Sequence, residues 1–452
     1  MRLRRIAFSI SLLIVFVAAL KGYTLAQNPP TPTFGPIVGG PTAVSTTLAP
    51  TSVTPAPAGV TTAPTVAGPT VTATAAATAS ATPLPTLRAD LMGIQADANF
   101  EQGRWFTLVD RMSFMGFKWL KIQLNWKILE PTKGSFASQW KVLIDNSVYA
   151  GRRGFKIMLA IAAAPDWARP ANVRGNLDGP PANPQDLVDF VNAVLSQFPL
   201  QYVNAIEIWN EANIAREWTG APLDGKTYVI YFNAAYKAIR ARSGDIVVIT
   251  AGPAPTGDGN GALNDRTWIS QVYAAGLPLS DPNLGIGIHP YGWANPPDAH
   301  CCASPSKGWD NDRSFFFLDS ITDYRQIMLK NNHAAGKLWA TEFGWATFQG
   351  LHVKSHQNGP AAMPPSDPGL AWMNKLTEDQ QAQYIVQAFA LAQMGDLATF
   401  MGPMILWNLN FSLFVDYLNA DKPSLPEAGY SVLDSDTFPR PAYNLLQAAP
   451  KK

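Results

Sequence analysis

Charge, histidine and cysteine are all scarce in this chain of 452 residues. Only 15% of its residues are charged, against about a quarter in ordinary globular proteins. Five histidines and one adjacent cysteine pair, Cys301 and Cys302, supply neither a disulfide framework nor a four-cysteine zinc site. The pair itself leaves three options open: a vicinal disulfide, bonds to another molecule, or free thiols. Between Gly22 and Leu87 there is no charged residue, and beyond Phe34 no aromatic one. A stretch so poor in groups that repay the entropy of ordering is not expected to form a packed domain. An excess of positive charge is missing too. Four basic residues precede position 88, which leaves 34 − 4 = 30 Lys and Arg against 33 Asp and Glu, a formal balance of −3. Nothing in that balance suggests a nucleic-acid surface.

At the N-terminus, Arg2, Arg4 and Arg5 precede an apolar run from Ile6 to Leu20, and Thr24, Leu25 and Ala26 follow at small-residue cleavage spacing. Residues 1–27 therefore read as a secretory signal peptide. If uncleaved, residues 6–20 would act as a membrane anchor, although the run is short for a spanning helix. Both readings export the chain, so it is expected to be secreted or attached to the cell surface. Residues 28–87, dominated by Pro, Thr, Ala, Val and Gly, read as a disordered, semi-rigid stalk.

From 88 to 450 the character changes to a repeating alternation of strand and helix. Candidate strands are Leu91–Asp97, Trp119–Trp126, Lys156–Ile161, Ala205–Asn213, Ile246–Ala251, Leu284–Ile288, Leu338–Thr341 and Pro403–Trp407. Amphipathic helical segments fall between them, among them Arg104–Phe114, Tyr228–Arg242 and Phe316–Lys330. Eight such units predict an α/β fold, a single (β/α)8 TIM barrel with enlarged loops. A doubly wound sheet fits less well, because no Gly-rich phosphate loop follows the first strand.

Two of these strands share one design. AIEIWNEAN at 205–213 and KLWATEFGW at 337–345 each run apolar and then end in a carboxylate, at Glu211 and Glu342. In one barrel both strand ends face one mouth, although the two residues are 342 − 211 = 131 positions apart. Two carboxyl groups converging there suit hydrolysis of a glycosidic bond, one protonating the leaving group and the other attacking the anomeric carbon. With WNEAN on the fourth strand and TEFGW on the seventh, the chain resembles the retaining glycoside hydrolases of clan A, which include the cellulases and the β-xylosidase-like family 39. The resemblance spans essentially all of 88–450. It implies Glu211 as general acid/base, Glu342 as nucleophile, Asn210 near the sugar 2-hydroxyl, His289 and Tyr291 as supports of the nucleophile, and Trp407 as the platform under the central sugar. The chain departs from the cellulase-like pattern in lacking an Arg at the second strand end and a His at the third.

Other residues at strand ends suit sugar binding by their own chemistry. Asp97, Gln95 and Asn125 could form a hydroxyl-binding floor, with Asp97 equally suited to pairing with an Arg. Trp126, Trp167, Trp209, Trp218, Trp293 and Trp345 offer indole faces to a sugar or to the core. The expected activity is that of a retaining, endo-acting β-glycoside hydrolase working by double displacement on a β-linked polysaccharide or oligosaccharide. The alternatives are an exo-acting β-xylosidase or β-glucosidase-like enzyme and a non-catalytic carbohydrate-binding barrel at the cell surface. No cofactor and no catalytic metal are expected, since His300, His333, His352 and His356 are dispersed along loops and helix ends.

Overall fold

The computed structural model describes residues 83–452 except 176, 260, 303–306, 308, 357 and 414–422. The signal or anchor segment and all of the stalk up to residue 82 lie outside the described residues. Among the described residues, no helix is long and apolar enough to cross a membrane.

Eight parallel strands close into a barrel in chain order: β1 Met92–Gln95, β2 Trp119–Asn125, β3 Lys156–Ala162, β4 Val203–Ile208, β5 Val247–Thr250, β6 Leu284–Ile288, β7 Lys337–Phe343 and β8 Met401–Leu406. Closure is made by β1 against β8, with Met92 opposite Met404 and Ile94 opposite Leu406. A helix follows each strand: α1 Gln102–Phe114, α2 Ser138–Arg152, α3 Pro184–Gln197, α4 Gly225–Arg242, α5 Asp265–Ala275, α6 Phe317–Lys330, α7 Glu378–Ala392 and α8 Pro441–Ala448. The domain reaches slightly beyond 88–450 at both ends. Leu87 is fully buried and pairs with Lys451, so the last residues expected in the stalk belong to the barrel.

The helices form where periodicity and caps agree. On α1 the buried residues Trp105, Leu108, Val109 and Met112 recur at i, i+3, i+4 and i+7, while the Glu101 side chain accepts from the Gly103 and Arg104 amides. Helix α3 starts with Asn183 as cap and Pro184 in its first turn, and α7 starts with a Thr377–Gln380 capping box. The strands are buried on both faces, as parallel strands under a helical shell must be. Their outward side chains, such as Leu120, Ile122, Ile206 and Ile208, join the main core beneath the helices.

Inside the barrel, Trp119, Met158, Ala205, Ile249, Trp339 and Ile405 form a separate apolar layer. The two indoles meet edge to face, with ring centroids 5.1 Å apart. Room for them comes from glycine in neighbouring strands. A Cβ on Gly285 would lie 2.9 Å from the Trp339 ring and one on Gly93 2.8 Å from the Trp119 Cβ. On this packed layer the polar interior of the mouth is built.

A second apolar cluster walls the mouth. It joins Tyr291, Trp293, Phe348, Leu351, Val353, Trp372, Trp407 and Tyr430 from the loops after β6, β7 and β8. Arg440, completely buried, ties two of these loops together. Its guanidinium donates to the Thr347, Gln349, Gly429 and Ser431 carbonyls and to Glu378. Cys301 and Cys302 are bonded to each other as a vicinal disulfide.

Candidate active site

Strand β4 ends at Ile208, earlier than the run Ala205–Asn213 suggests, because Trp209 and Glu211 take positive φ of 76° and 42°. The chain thereby turns across the mouth instead of continuing the ladder. The turn is pinned from β5, with the Glu211 amide donating to the Gly252 carbonyl at 3.1 Å. Asn213 is structural: its amide group donates to the Ala254 and Leu263 carbonyls and accepts from the Ala254 amide. The outcome is a buried Glu211 carboxyl aimed across the barrel.

Glu342, at the end of β7, meets it there. One oxygen of each carboxyl and a ring nitrogen of His289 all lie within 4.8 Å of one another. His289 Nδ1 stands 3.1 Å from Glu211 Oε1 and 3.9 Å from Glu342 Oε2. Burial opposes a charge on this imidazole, but the two carboxylates outweigh it and raise its pKa above the usual histidine value. The Tyr291 hydroxyl donates to Glu342 Oε2 at 3.0 Å. Burial and the neighbouring carboxylates push the phenol far above its normal range, so it keeps its proton and remains a donor.

The other oxygen of Glu342 is held by a residue that sequence reasoning missed. Lys121, fully buried in β2, places Nζ 2.9 Å from Glu342 Oε1 and 2.9 Å from Glu207 Oε2. The cation absent from the end of β2 is thus supplied from within the strand. Burial disfavours charge on Lys121, yet the two carboxylates raise its pKa. For Glu342, burial pulls upward, but Lys121, His289 and the Tyr291 hydrogen bond prevail and hold its carboxyl below the usual range. Glu342 is therefore kept ionised, the state in which a carboxylate can act as a nucleophile. A signal for Lys121 and Glu207 existed in the sequence: each interrupts an apolar strand buried on both faces, where an unpaired charge is prohibitively costly.

Glu211 has a cation as well as a negative neighbour, since Arg216 Nη2 lies 3.0 Å from its Oε2. The same guanidinium reaches Glu217 Oε1 at 3.3 Å. Burial raises the Glu217 carboxyl to about 7, against the pull of Arg216. Glu217 lines the cavity at the mouth beside Gln95, Gln123, Asn125, Asp178, Asn210, Glu342 and Trp407. Three of these have buried amide oxygens with no partner among the described residues, namely Gln95 Oε1, Asn125 Oδ1 and Asn210 Oδ1. Such acceptors are normally satisfied, and sugar hydroxyls would serve here.

The chain is also matched at the level of family. The model of the cellulase family, glycosyl hydrolase family 5, matches residues 87–384, a span that contains both glutamates. The chain belongs to glycosyl hydrolase family 5. It is thereby classed with the O-glycosyl hydrolases. No curated protein matches the chain. Among solved structures it is similar to a family 39 glycoside hydrolase from Bacteroides cellulosilyticus WH2, at 18% identity and a TM-score of 0.56, over 80% of this chain and 64% of that one. This chain thus spans less than two thirds of that protein. A GH53 catalytic domain from Ignisphaera aggregans matches at 15% identity and a TM-score of 0.52, over 82% of this chain and 99% of the other. A GH5 subfamily 18 protein from Streptomyces cattleya, in complex with GlcNAc, matches at 11% identity and a TM-score of 0.51, over 80% of each chain. At these identities the likeness is one of fold.

Within this family 5 barrel the expected site residues divide. Glu211, Glu342, His289, Tyr291, Asn210, Asn125 and Trp407 converge on the mouth. Trp407 lines the cavity and is backed by Tyr430, with centroids 5.0 Å apart. Trp126 does not belong to the site. It is fully buried beneath the helices, stacked on Phe190 with its N–H donated to Glu130 Oε2, because the chain turns into a helical turn at Asn125 and carries the indole outward. Trp209, Trp218 and Trp345 likewise serve the core, each spending its N–H on a backbone carbonyl. Among the described residues Asp97 pairs with no Arg. Its carboxylate accepts from the Asn99 amide, and burial raises it to about 6.

Proposed function

We propose that this family 5 chain is a retaining β-glycoside hydrolase acting on a β-linked polysaccharide or oligosaccharide, with Glu342 as nucleophile and Glu211 as acid/base. The observation that carries the reading is the closeness of the two carboxyl groups, with oxygens within 4.8 Å. Retaining enzymes hold their carboxyls about 5–5.5 Å apart, whereas inverting ones leave about 6.5–9.5 Å for a water. The environments support the split of roles. Glu342 is held ionised by Lys121, His289 and Tyr291, and Glu211 stands on the opposite side of the mouth within reach of His289 and Arg216. In the first step the Glu342 carboxylate attacks the anomeric carbon while Glu211 gives its proton to the departing oxygen. In the second step Glu211 takes a proton from water, which displaces Glu342 with net retention. Trp407 provides an apolar face for the central sugar, and Asn210 and Asn125 provide the unsatisfied amide oxygens around it.

Endo action is the favoured mode, supported by the cellulase description of the matching family. Product sizing after digestion of a panel of β-glucans, mannans and xylans tests it, a ladder of oligosaccharides being expected and release of single terminal units refuting it. The roles are tested by azide rescue with an activated aryl glycoside. Glu211→Ala should form the glycosyl-enzyme and give a β-glycosyl azide. Glu342→Ala should lose turnover and give at most the α-azide. The opposite pairing of products would exchange the roles, and initial release of the α-anomer by the wild type would refute retention. Residues 1–27 are proposed to direct export, and residues 28–83 to serve as a spacer between barrel and cell surface. The charge-poor composition of that stretch supports this. Sequencing the N-terminus of the mature protein distinguishes cleavage from retention of the segment.

A further inference from the structure

The loop after β7 and the segment before α8 bring together side chains that have no part in the chemistry above. His352 and His356, four residues apart in the loop, converge on Asp434, and one ligand-type atom from each lies within 4.8 Å of the others. Both imidazoles address the same carboxylate oxygen through Nδ1: His356 at 2.7 Å and His352 at 3.5 Å from Asp434 Oδ2. The other oxygen is already occupied, since Oδ1 accepts from the His352 and Ser435 amides at 3.1 and 2.7 Å. Oδ2 is thus left facing the rings.

A carboxylate shared by two imidazoles has an ordinary explanation in hydrogen bonding, and His356 satisfies it. His352 does not. Its Nδ1 is shielded from solvent and has no hydrogen-bond partner among the described residues, although Oδ2 stands 3.5 Å away. A shielded ring nitrogen left without a hydrogen bond beside a carboxylate oxygen is a position that an ion bound to both would satisfy. In a tetrahedral zinc site with bonds of about 2.0–2.1 Å, neighbouring ligand atoms lie about 3.3 Å apart. The His352 separation of 3.5 Å is close to that value, and the 2.7 Å of His356 is that of its hydrogen bond, which ligation of an ion would replace. The rings are also fixed. His356 stacks flat on Phe438, with centroids 4.1 Å apart and planes within 6°, and its backbone amide is held by Asp436.

We propose that His352, His356 and Asp434 form a binding site for a zinc-like divalent cation, with two imidazole ligands, one carboxylate and at least one position open to water. Two imidazoles and one carboxylate select zinc and the neighbouring late first-row ions over magnesium or calcium. The site is structural. Leu351 and Val353, on either side of His352, pack in the same apolar cluster as Tyr291, Trp407 and Tyr430. The ion would therefore lock the loop after β7 onto the segment that follows Tyr430 and hold the wall of the mouth in place. Glycosidic chemistry by Glu211 and Glu342 proceeds without it.

The test is metal titration of the untagged, chelator-treated full chain. Calorimetry with Zn2+ should show one equivalent bound, and Co2+ should bring up the visible absorption of a low-symmetry, four-coordinate ion. His352→Ala and His356→Ala, both part-exposed positions, should each weaken binding at least tenfold while circular dichroism stays unchanged. Glu342→Gln should bind as the wild type does, which separates this site from the carboxylates of the mouth. Zn2+ should raise the melting temperature of the wild type but not of the two histidine variants, while Mg2+ and Ca2+ should leave it unmoved. Absence of Zn2+ uptake, or uptake lost in Glu342→Gln and kept in His352→Ala, would overturn the assignment.

Discussion

Replacing Lys121 by Met asks whether the nucleophile is held ionised by a charge inside the barrel. The substitution retains most of the aliphatic volume and deletes the ammonium that pairs at 2.9 Å with both Glu207 and Glu342. None of these side chains is more than 5% exposed, so solvent screening gives little relief. Removing one member of a buried pair costs about 3–5 kcal/mol, because a charge is left without compensation. For a domain of about 370 residues that corresponds to a loss of roughly 4–6 °C in melting temperature. The effect on activity has a definite sign. Glu342 is held below the usual carboxyl range, with Lys121 the largest favourable influence against burial. Its contribution to stability is present above the unfolded carboxyl pKa and is lost as pH falls through the folded value. Without Lys121 the folded value rises, so the acid limb of kcat/KM should move to higher pH and the stability deficit should be larger at neutral than at acid pH. A pH–rate profile on an activated aryl glycoside, with urea melts across the same range, reads both quantities. Adding Glu207→Gln removes one orphaned carboxylate and should recover part of the stability. An acid limb and a melting midpoint both unchanged in Lys121→Met would refute the role given to this residue.

Trp407→Ala should lower kcat/KM on oligosaccharides by on the order of tenfold or more, because the indole lines the cavity at Glu342, with a smaller change in melting temperature; unchanged kinetics would remove it from the site. Glu427 is buried, and burial raises it from 4.5 to about 7 against the smaller pull of its own backbone amide and Arg216. A folded pKa above the unfolded one makes stability fall as pH rises from about 4.5 to about 7. Glu427→Gln should flatten that part of the urea-melt profile, and a slope identical to the wild type would place the titration elsewhere. Arg440→Met should cost about 3 kcal/mol or more in denaturant unfolding, since it leaves several buried carbonyls and the half-buried Glu378 carboxylate without a donor; a loss under about 1 kcal/mol would mean that the wall does not depend on this staple.

The barrel and the two carboxylates at its mouth were legible because local pattern carries that information. A parallel strand covered on both faces must be an apolar run, and a charged residue where such a run ends faces the mouth, so AIEIWNE and KLWATEF announced both the strands and Glu211 and Glu342. Helix boundaries followed from caps and periodicity to within a few residues. Tertiary structure decided whatever depends on partners distant in sequence. Trp126 and Trp407 both stand at the ends of their strands, yet one indole is carried out beneath a helix and the other into the cavity, because the chain turns differently after β2 and β8. Lys121 is a bare exception in an apolar strand until closure of the barrel sets it between Glu207 and Glu342, from strands 86 and 221 residues further on. His352 and Asp434, 82 residues apart, meet only because Arg440 and the apolar wall hold their two loops together. Periodicity acts over a few residues and is written locally, whereas compensation of a buried charge acts through space, and only the folded chain assigns its partners.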